Sequence, residues 1–347
     1  MNFCIDGDFG TRINGWLTPD NPSIRPRFIV EAEGFDPIEF DANVLRSDLF
    51  DLGWHSTGQV GFEIDDNLIP DIDNVSDIRV TDAHTGITIY RRFPPGAFRQ
   101  LKLVLYDCSA MPQWRMLRQI AGSFGLVYNS IDRLPLETTL ALLWSNGSRS
   151  SFVNGSPNFL RYADAIRTRE FMSVALLRPP VEELAERLLF LRMIASSPSL
   201  QNIRSLFSHF EPLITFASAL DITNRKSLIS SFRSIDSRAR VLMRSPMTHT
   251  FGAEVTDSVE PKQVSFALDN LSTFNLVGTR SRFGEFCAIF DGLIGDRLLH
   301  GASLSQLPGV EDLTSKLTDI GPVIDLLEED LNLYAYVEEA VQHREVA

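Results

Sequence analysis

Two short stretches carry the residues whose types and spacing could do chemistry. The first is YDCSAMPQWRML, from Tyr106 to Leu117, which leaves an apolar strand and enters a helix. In parallel α/β sheets, ligands bind in loops at the C-terminal ends of strands. A loop built for phosphate lets backbone amides approach through glycines and neutralises charge with a lysine. This loop has neither. Ser109, Gln113 and Trp114 therefore keep only amides and the helix dipole, worth about 0.3–1 kcal/mol to an anion. An ordinary strand-to-helix connection is the competing reading. The second stretch is FMSVALLRPPVEELAERLLFLRMI, from Phe171 to Ile194. Arg178 ends a buried run, and Pro180 falls near a first helical turn, where proline is tolerated. A guanidinium fork suits phosphate or carboxylate. Paired with a neighbouring acid such as Glu182, Arg178 would instead be structural. The sequence leaves both readings open.

Other chemistry is thin. The six histidines show no ligand spacing, and His209 and His249 read as packing or surface residues. There is no Ser/His/Asp motif and no dinucleotide fingerprint. Cys4, Cys108 and Cys287 are odd in number and far apart. They read as free thiols in a reducing compartment, without metal-type spacing. The net charge of −13 argues against a general nucleic-acid binder. Charge is uneven, however. Arg225, Lys226, Arg233, Arg238, Arg240 and Arg244 meet only Asp236 in their stretch. Such a segment either meets an anionic ligand or is a solvated helix face.

The elements that must position these residues follow from periodicity. A chain of 347 residues suggests two domains. No apolar run reaches the length of a membrane span, and MNFCIDGDFG lacks the basic start and apolar stretch of a secretory signal. These features point to the cytoplasm. RFIVEAEG and IRVTDAHTGITIYRRF alternate, the latter with a turn at His84–Thr85–Gly86, so residues 1–97 read as a β-sandwich-like module. Tyr90 and the other aromatics there read as core. RRFPPGAFRQ is the linker, because two prolines cannot continue a central strand.

From residue 98 to 347 strands and helices alternate. LKLVLYD, SSFVNGS and EFMSVALL read as buried strands. WRMLRQIAGSFG, LPLETTLALLWS and Val181–Ile194 read as helices. A long helical part runs to about Ala267, and FNLVGTRSRFGEFCAIFDGLIG reads as strand, turn and helix. An amphipathic helix closes the chain from Gly321 to Val346. This alternation implies a parallel α/β sheet with helices on both faces.

Five pieces in order resemble sulfotransferases of the carbohydrate type, over about residues 98–345. They are LKLVLYDCSAMPQWRML, SFVNGSPNF, FMSVALLRPPVEELAERLLFL, FNLVGTRSRFGEFCAIFDGLIG and LLEEDLNLYAYVEEA. The resemblance implies a P-loop-containing α/β fold and 3′-phosphoadenosine 5′-phosphosulfate as donor. It implies that the first loop, with Cys108, Ser109, Ala110, Gln113 and Trp114, holds the phosphosulfate. Arg178, Glu186 and Arg282 fall at the other donor-binding positions, with Arg178 facing the 3′-phosphate. Ser109 and Ser156 stand at the catalytic positions. The chain departs from the family at named places: Ser109 replaces the loop lysine, Glu186 replaces the phosphate-binding serine, Ser156 replaces a histidine and Ser281 a glutamate. Residues Ile13–Ile64 are similar to a β-rich module on bacterial glycosyltransferases and related surface-polysaccharide enzymes. Its Gly-Trp start, Arg-Ser-Asp-Leu and Gly-Phe-Glu ending carry that likeness.

Three functions are then open. One is transfer of a sulfuryl group to a hydroxyl of a bacterial polysaccharide or glycan, by in-line attack stabilised by backbone amides and Arg178, with no metal. It would act beside polysaccharide assembly proteins as peripheral partners, without a transmembrane segment or nucleic acid. The second is a non-catalytic binding or scaffold protein with a lost donor site. The third is a transferase with a different donor, its loop rebuilt around Trp114.

Overall fold

The computed structural model describes residues 1–145, 147–200 and 204–343. The chain divides into two compact units: Met1–Val104, Ala121–Asn154 and Asp164–Met172 form one, and Leu105–Ile120, Gly155–Ala163 and Ser173–Ala347 the other.

The first unit contains two four-stranded antiparallel sheets. One comprises β1 (Asn2–Asp8), β2 (Ile13–Thr18), β5 (Val44–Leu45) and β6 (Gln59–Ile64), in the order β1-β2-β6-β5. The other comprises β3 (Arg27–Ala32), β4 (Ile38–Asp41), β7 (Ile78–Asp82) and β8 (Thr88–Arg92), in the order β4-β3-β7-β8. Side chains alternate as a pleat requires, with Phe28 and Val30 buried between exposed Arg27 and Glu31. The rings of Phe28 and Phe62 meet at 4.7 Å, which joins the inner faces of the two sheets. The hairpin between β7 and β8 turns through Gly86 at φ 71°, a conformation glycine adopts without strain. Tyr90 is buried, with its hydroxyl on Asp8. A short helix, α1 (Ser47–Asp51), precedes β6.

A five-stranded parallel sheet follows the order β10-β11-β9-β12-β13. Its strands are β9 (Lys102–Asp107), β10 (Leu126–Tyr128), β11 (Ser151–Gly155), β12 (Met172–Leu177) and β13 (Leu276–Thr279). In β9, Leu103 to Asp107 are all buried, which is why Leu103 to Tyr106 are continuously apolar rather than alternating. Helices α2 (Trp114–Ala121), α3 (Leu136–Trp144), α4 (Phe159–Thr168) and α5 (Pro180–Ser196) connect the strands. The later helices are α6 (Glu211–Ala219), α7 (Arg225–Arg233), α8 (Ser237–Met243), α9 (Pro246–Gly252), α10 (Lys262–Leu271), α11 (Phe283–Ile294), α12 (Val310–Thr318) and α13 (Gly321–His343). The closing helix expected to reach Val346 is described to His343, and residues 344–346 lie outside the described residues.

Helix α5 organises the helical layer of the second unit. Leu184, Leu188 and Leu191 join Leu213, Phe232, Leu313 and Leu326 in one core. Each such fully buried side chain contributes about 1.5–3 kcal/mol of transfer free energy. Among the described residues no helix is long and apolar enough to cross a membrane. The three cysteines are free, Cys4 half-buried and the other two buried.

Candidate functional site

In the second unit the strand ends bring together residues far apart in sequence. Asp107 ends β9, Ser156 follows β11, Arg178 follows β12 and Arg280 follows β13. Helix α5 starts beside them and adds Glu182 and Glu186, one turn apart on one face.

The first loop does not present itself to a guest. Ser109 donates its hydroxyl to the Asp107 carboxylate at 2.5 Å, and the Ser109 amide bonds the same carboxylate. The Cys108 amide donates to the Leu176 carbonyl at 3.3 Å. The anion this loop holds is thus Asp107 itself. Ser156 donates its hydroxyl to the Asp107 carbonyl at 2.8 Å. Gln113 is 1% exposed. Its side-chain nitrogen donates to the carbonyls of Met111 and Ser305 at 3.1 and 3.2 Å. Its oxygen accepts from the Ser305 amide at 2.7 Å. It fastens the loop to a later segment and leaves no free amide group. Ala110 is half-buried. Trp114 opens α2 with half its surface in solvent, so its ring fills no cleft.

Arg178 is 1% exposed and Glu186 0%. They form an ion pair, with Arg178 Nη1 donating to Glu186 Oε2. Arg280, 11% exposed, reaches Glu182 at 3.2 Å and the Glu186 carboxylate at 3.6 Å. The neighbouring acid that takes Arg178 is therefore Glu186, and Glu182 belongs to Arg280. Four polar atoms in this knot lack a hydrogen-bond partner: Arg178 Nε and Nη2, Glu186 Oε1 and Arg280 Nη1. A buried unsatisfied group costs about 1–3 kcal/mol, so the knot is not optimised for stability. Burial pushes the Asp107 carboxyl up to about 6, against the pull of Ser109 and Arg178. Burial also raises Glu186, which Arg178 opposes, and raises Glu182 in the same way.

Arg282 stands apart from this cluster. It pairs with Glu285 at 3.1 Å on the first turn of α11. With Gly278, Thr279, Phe286, Ile289 and Val341 it lines a cavity of about 210 Å³ along β13. Among the described residues no group of three or more His, Cys, Asp or Glu is placed to hold a metal ion.

The fit of the adenosine phosphosulfate donor can be tested on these residues. A polyanionic donor needs converging cations and free amides. Here two guanidiniums face three carboxylates, Asp107, Glu182 and Glu186. The loop amide is occupied, and the free edge of Arg178 is sealed within the fold. The residues present do not fit this donor.

Sequence reasoning singled out Arg178, Glu186 and Ser109 and missed Asp107 and Arg280. Both were marked by position, as the charged residues ending LKLVLYD and following LVGT. A charge that terminates a fully apolar strand has few ways to reach bulk water. No protein-family model matches the chain, and no curated protein matches it.

Proposed function

We propose that this chain is a non-catalytic, carbohydrate-associated binding or scaffold protein. In this reading it keeps a sulfotransferase-like frame, and its own carboxylates take the places of the donor's anionic groups. The observation that carries the reading is the sealed Arg178–Glu186 pair at the strand ends. The Asp107 carboxylate on the Ser109 amide and hydroxyl supports it at the first loop. A buried guanidinium already neutralised by an internal carboxylate gives up that pair before it accepts a phosphate. Breaking such a pair costs about 3–5 kcal/mol, or two to four decades of affinity. The carbohydrate setting rests on the resemblances described above.

Titration with adenosine 3′,5′-bisphosphate by calorimetry tests the reading. The expected result is no heat at millimolar ligand. Binding at micromolar strength that disappears in Arg178→Ala would restore sulfuryl transfer to a glycan hydroxyl. One observation favours a second reading, a transferase with a different donor: the half-exposed Trp114 ring at the start of α2 offers a stacking face. Quenching of tryptophan fluorescence by another nucleotide, absent in Trp114→Phe, would support that alternative.

A further inference from the structure

Exposed cations without a carboxylate partner occur at several places on this chain, and one stretch concentrates them with almost no acid. Residues 225–244, which hold helices α7 and α8, their connection and the cap Arg244, carry six cations against one acid, a surplus of five. The rest of the chain therefore carries −18 of a total of −13. Lys226, Arg233, Arg238 and Arg240 are exposed and pair with no described carboxylate. Arg225 donates to the Asp319 carbonyl at 3.3 Å and lies 3.8 Å from its carboxylate. The two helices are held firmly. Asn224 caps α7 and Asp236 caps α8, and Leu228, Phe232, Ala239 and Met243 anchor them in the core. The cations thus stand on a preorganised ridge rather than on a loop. Leaving four of them unpaired in so acidic a protein concentrates positive potential where an anion can use it.

We infer that this ridge binds an acidic polysaccharide. Three of the four unpaired cations are arginines, and a planar fork matches carboxylate and sulfate oxygens in pairs. Serines 227, 230, 231, 234 and 237 interleave with them, with Ser230, Ser234 and Ser237 exposed. Cations alternating with hydroxyls complement a polymer that alternates charges with hydroxyls. The other polyanions fit less well. The ridge exposes no aromatic ring for base stacking, since Phe232 is buried. It exposes one large apolar side chain, Val241, too little to enter a bilayer or to anchor a protein partner. Duplex DNA and anionic bilayers also extend beyond a Debye length, about 8 Å at physiological salt, and so meet the −18 of the remainder. The glycan class deepens the carbohydrate-associated reading and rests on it. The ridge does not involve Arg178 or Asp107, so donor binding would overturn the non-catalytic part of that reading and leave its carbohydrate part, on which this inference rests.

The test is binding of polygalacturonate oligomers to the full chain at low salt, with neutral dextran, single-stranded DNA and phosphatidylserine vesicles alongside. Polygalacturonate is expected to bind, to weaken steeply with salt, and to lose at least about tenfold in Arg233→Glu/Arg238→Glu/Arg240→Glu. Reversal of Arg115, Arg118 and Lys262, exposed cations off the ridge, is expected to change affinity less than about threefold. These are surface positions, and unchanged circular dichroism and urea midpoint confirm that both variants fold. Absence of polygalacturonate binding, or equal loss in the two triple variants, overturns the inference. DNA or vesicles binding more tightly than polygalacturonate through the same three arginines overturns the glycan assignment.

Discussion

Removing Glu186 strands more charge than removing Arg178, and the two together strand almost none. Glu186→Met leaves Arg178, 1% exposed, without an ion-pair partner, with Asp107 and Glu182 acting on it only at longer range, and leaves Arg280 with Glu182 alone. An uncompensated buried guanidinium costs about 3–5 kcal/mol. Arg178→Met leaves Glu186 with Arg280 at 3.6 Å, a partial substitute, so its cost is about 2 kcal/mol. The double substitution removes both charges and three of the four unpartnered atoms, each worth about 1–3 kcal/mol of penalty. It also fills the space with apolar side chains, so the double variant is expected within about 1 kcal/mol of the parent. The order of stability is then double variant, Arg178→Met, Glu186→Met. Urea unfolding followed by tryptophan fluorescence measures it, with an unchanged slope confirming that only stability moved. The reasoning is refuted if Glu186→Met costs under about 1 kcal/mol, or if the double variant loses the sum of the singles. Either result would mean that this pair is hydrated and open, and that the strand-end site can admit an anion.

Asp107 gives a pH signature of opposite sign to an ordinary salt-bridged carboxylate. Its folded-state pKa of about 6 lies above the ordinary 3.8. The folded chain therefore binds the proton more tightly, and this group's contribution falls as pH rises from about 4 through 6, by about 3 kcal/mol. Asp107→Asn should remove that dependence, so melting measured at pH 5 and pH 7.5 should show the variant gaining on the parent at the higher pH. An unchanged difference would show that Asp107 is not isolated from water. Gly252, where α9 meets α10, has no room for a side chain. A Cβ there would lie 2.2 Å from the Gln263 carbonyl oxygen and 2.8 Å from the Ala267 nitrogen. Gly252→Ala should therefore lower stability by about 3 kcal/mol in the same urea assay, and a loss under about 1 kcal/mol would contradict the close helix approach.

Strands with one burial regime were legible from the sequence, and contacts across strand ends were not. LKLVLYD and EFMSVALL read as buried parallel strands because their apolar residues run on without alternation, and both appear within two residues of the expected ends. Strand β10, of three residues, is too short to show a period, and α4 sits just beyond SFVNGSPNF, whose turn residues hide its start. Helix α5 was read correctly as core through Val181, Leu184, Ala185 and Leu188. Its periodicity also placed Glu182 and Glu186 together on a polar face, and polar faces ordinarily meet water. Here that face meets Arg178 and Arg280, which arrive from the ends of two other strands. Arg178 is only eight residues from Glu186, and the sequence leaves its choice between solvent, ligand and acid open, whereas the second partner, Arg280, is 94 residues away. Local pattern has no access to the Arg280 contact. The same limit applies at Asp107, whose carboxylate takes both the Ser109 amide and its hydroxyl, donors that a bound anion would otherwise use. A loop without glycine or lysine is therefore more than a weakened phosphate site: one carboxylate at the strand end is enough to complete its hydrogen bonds from within.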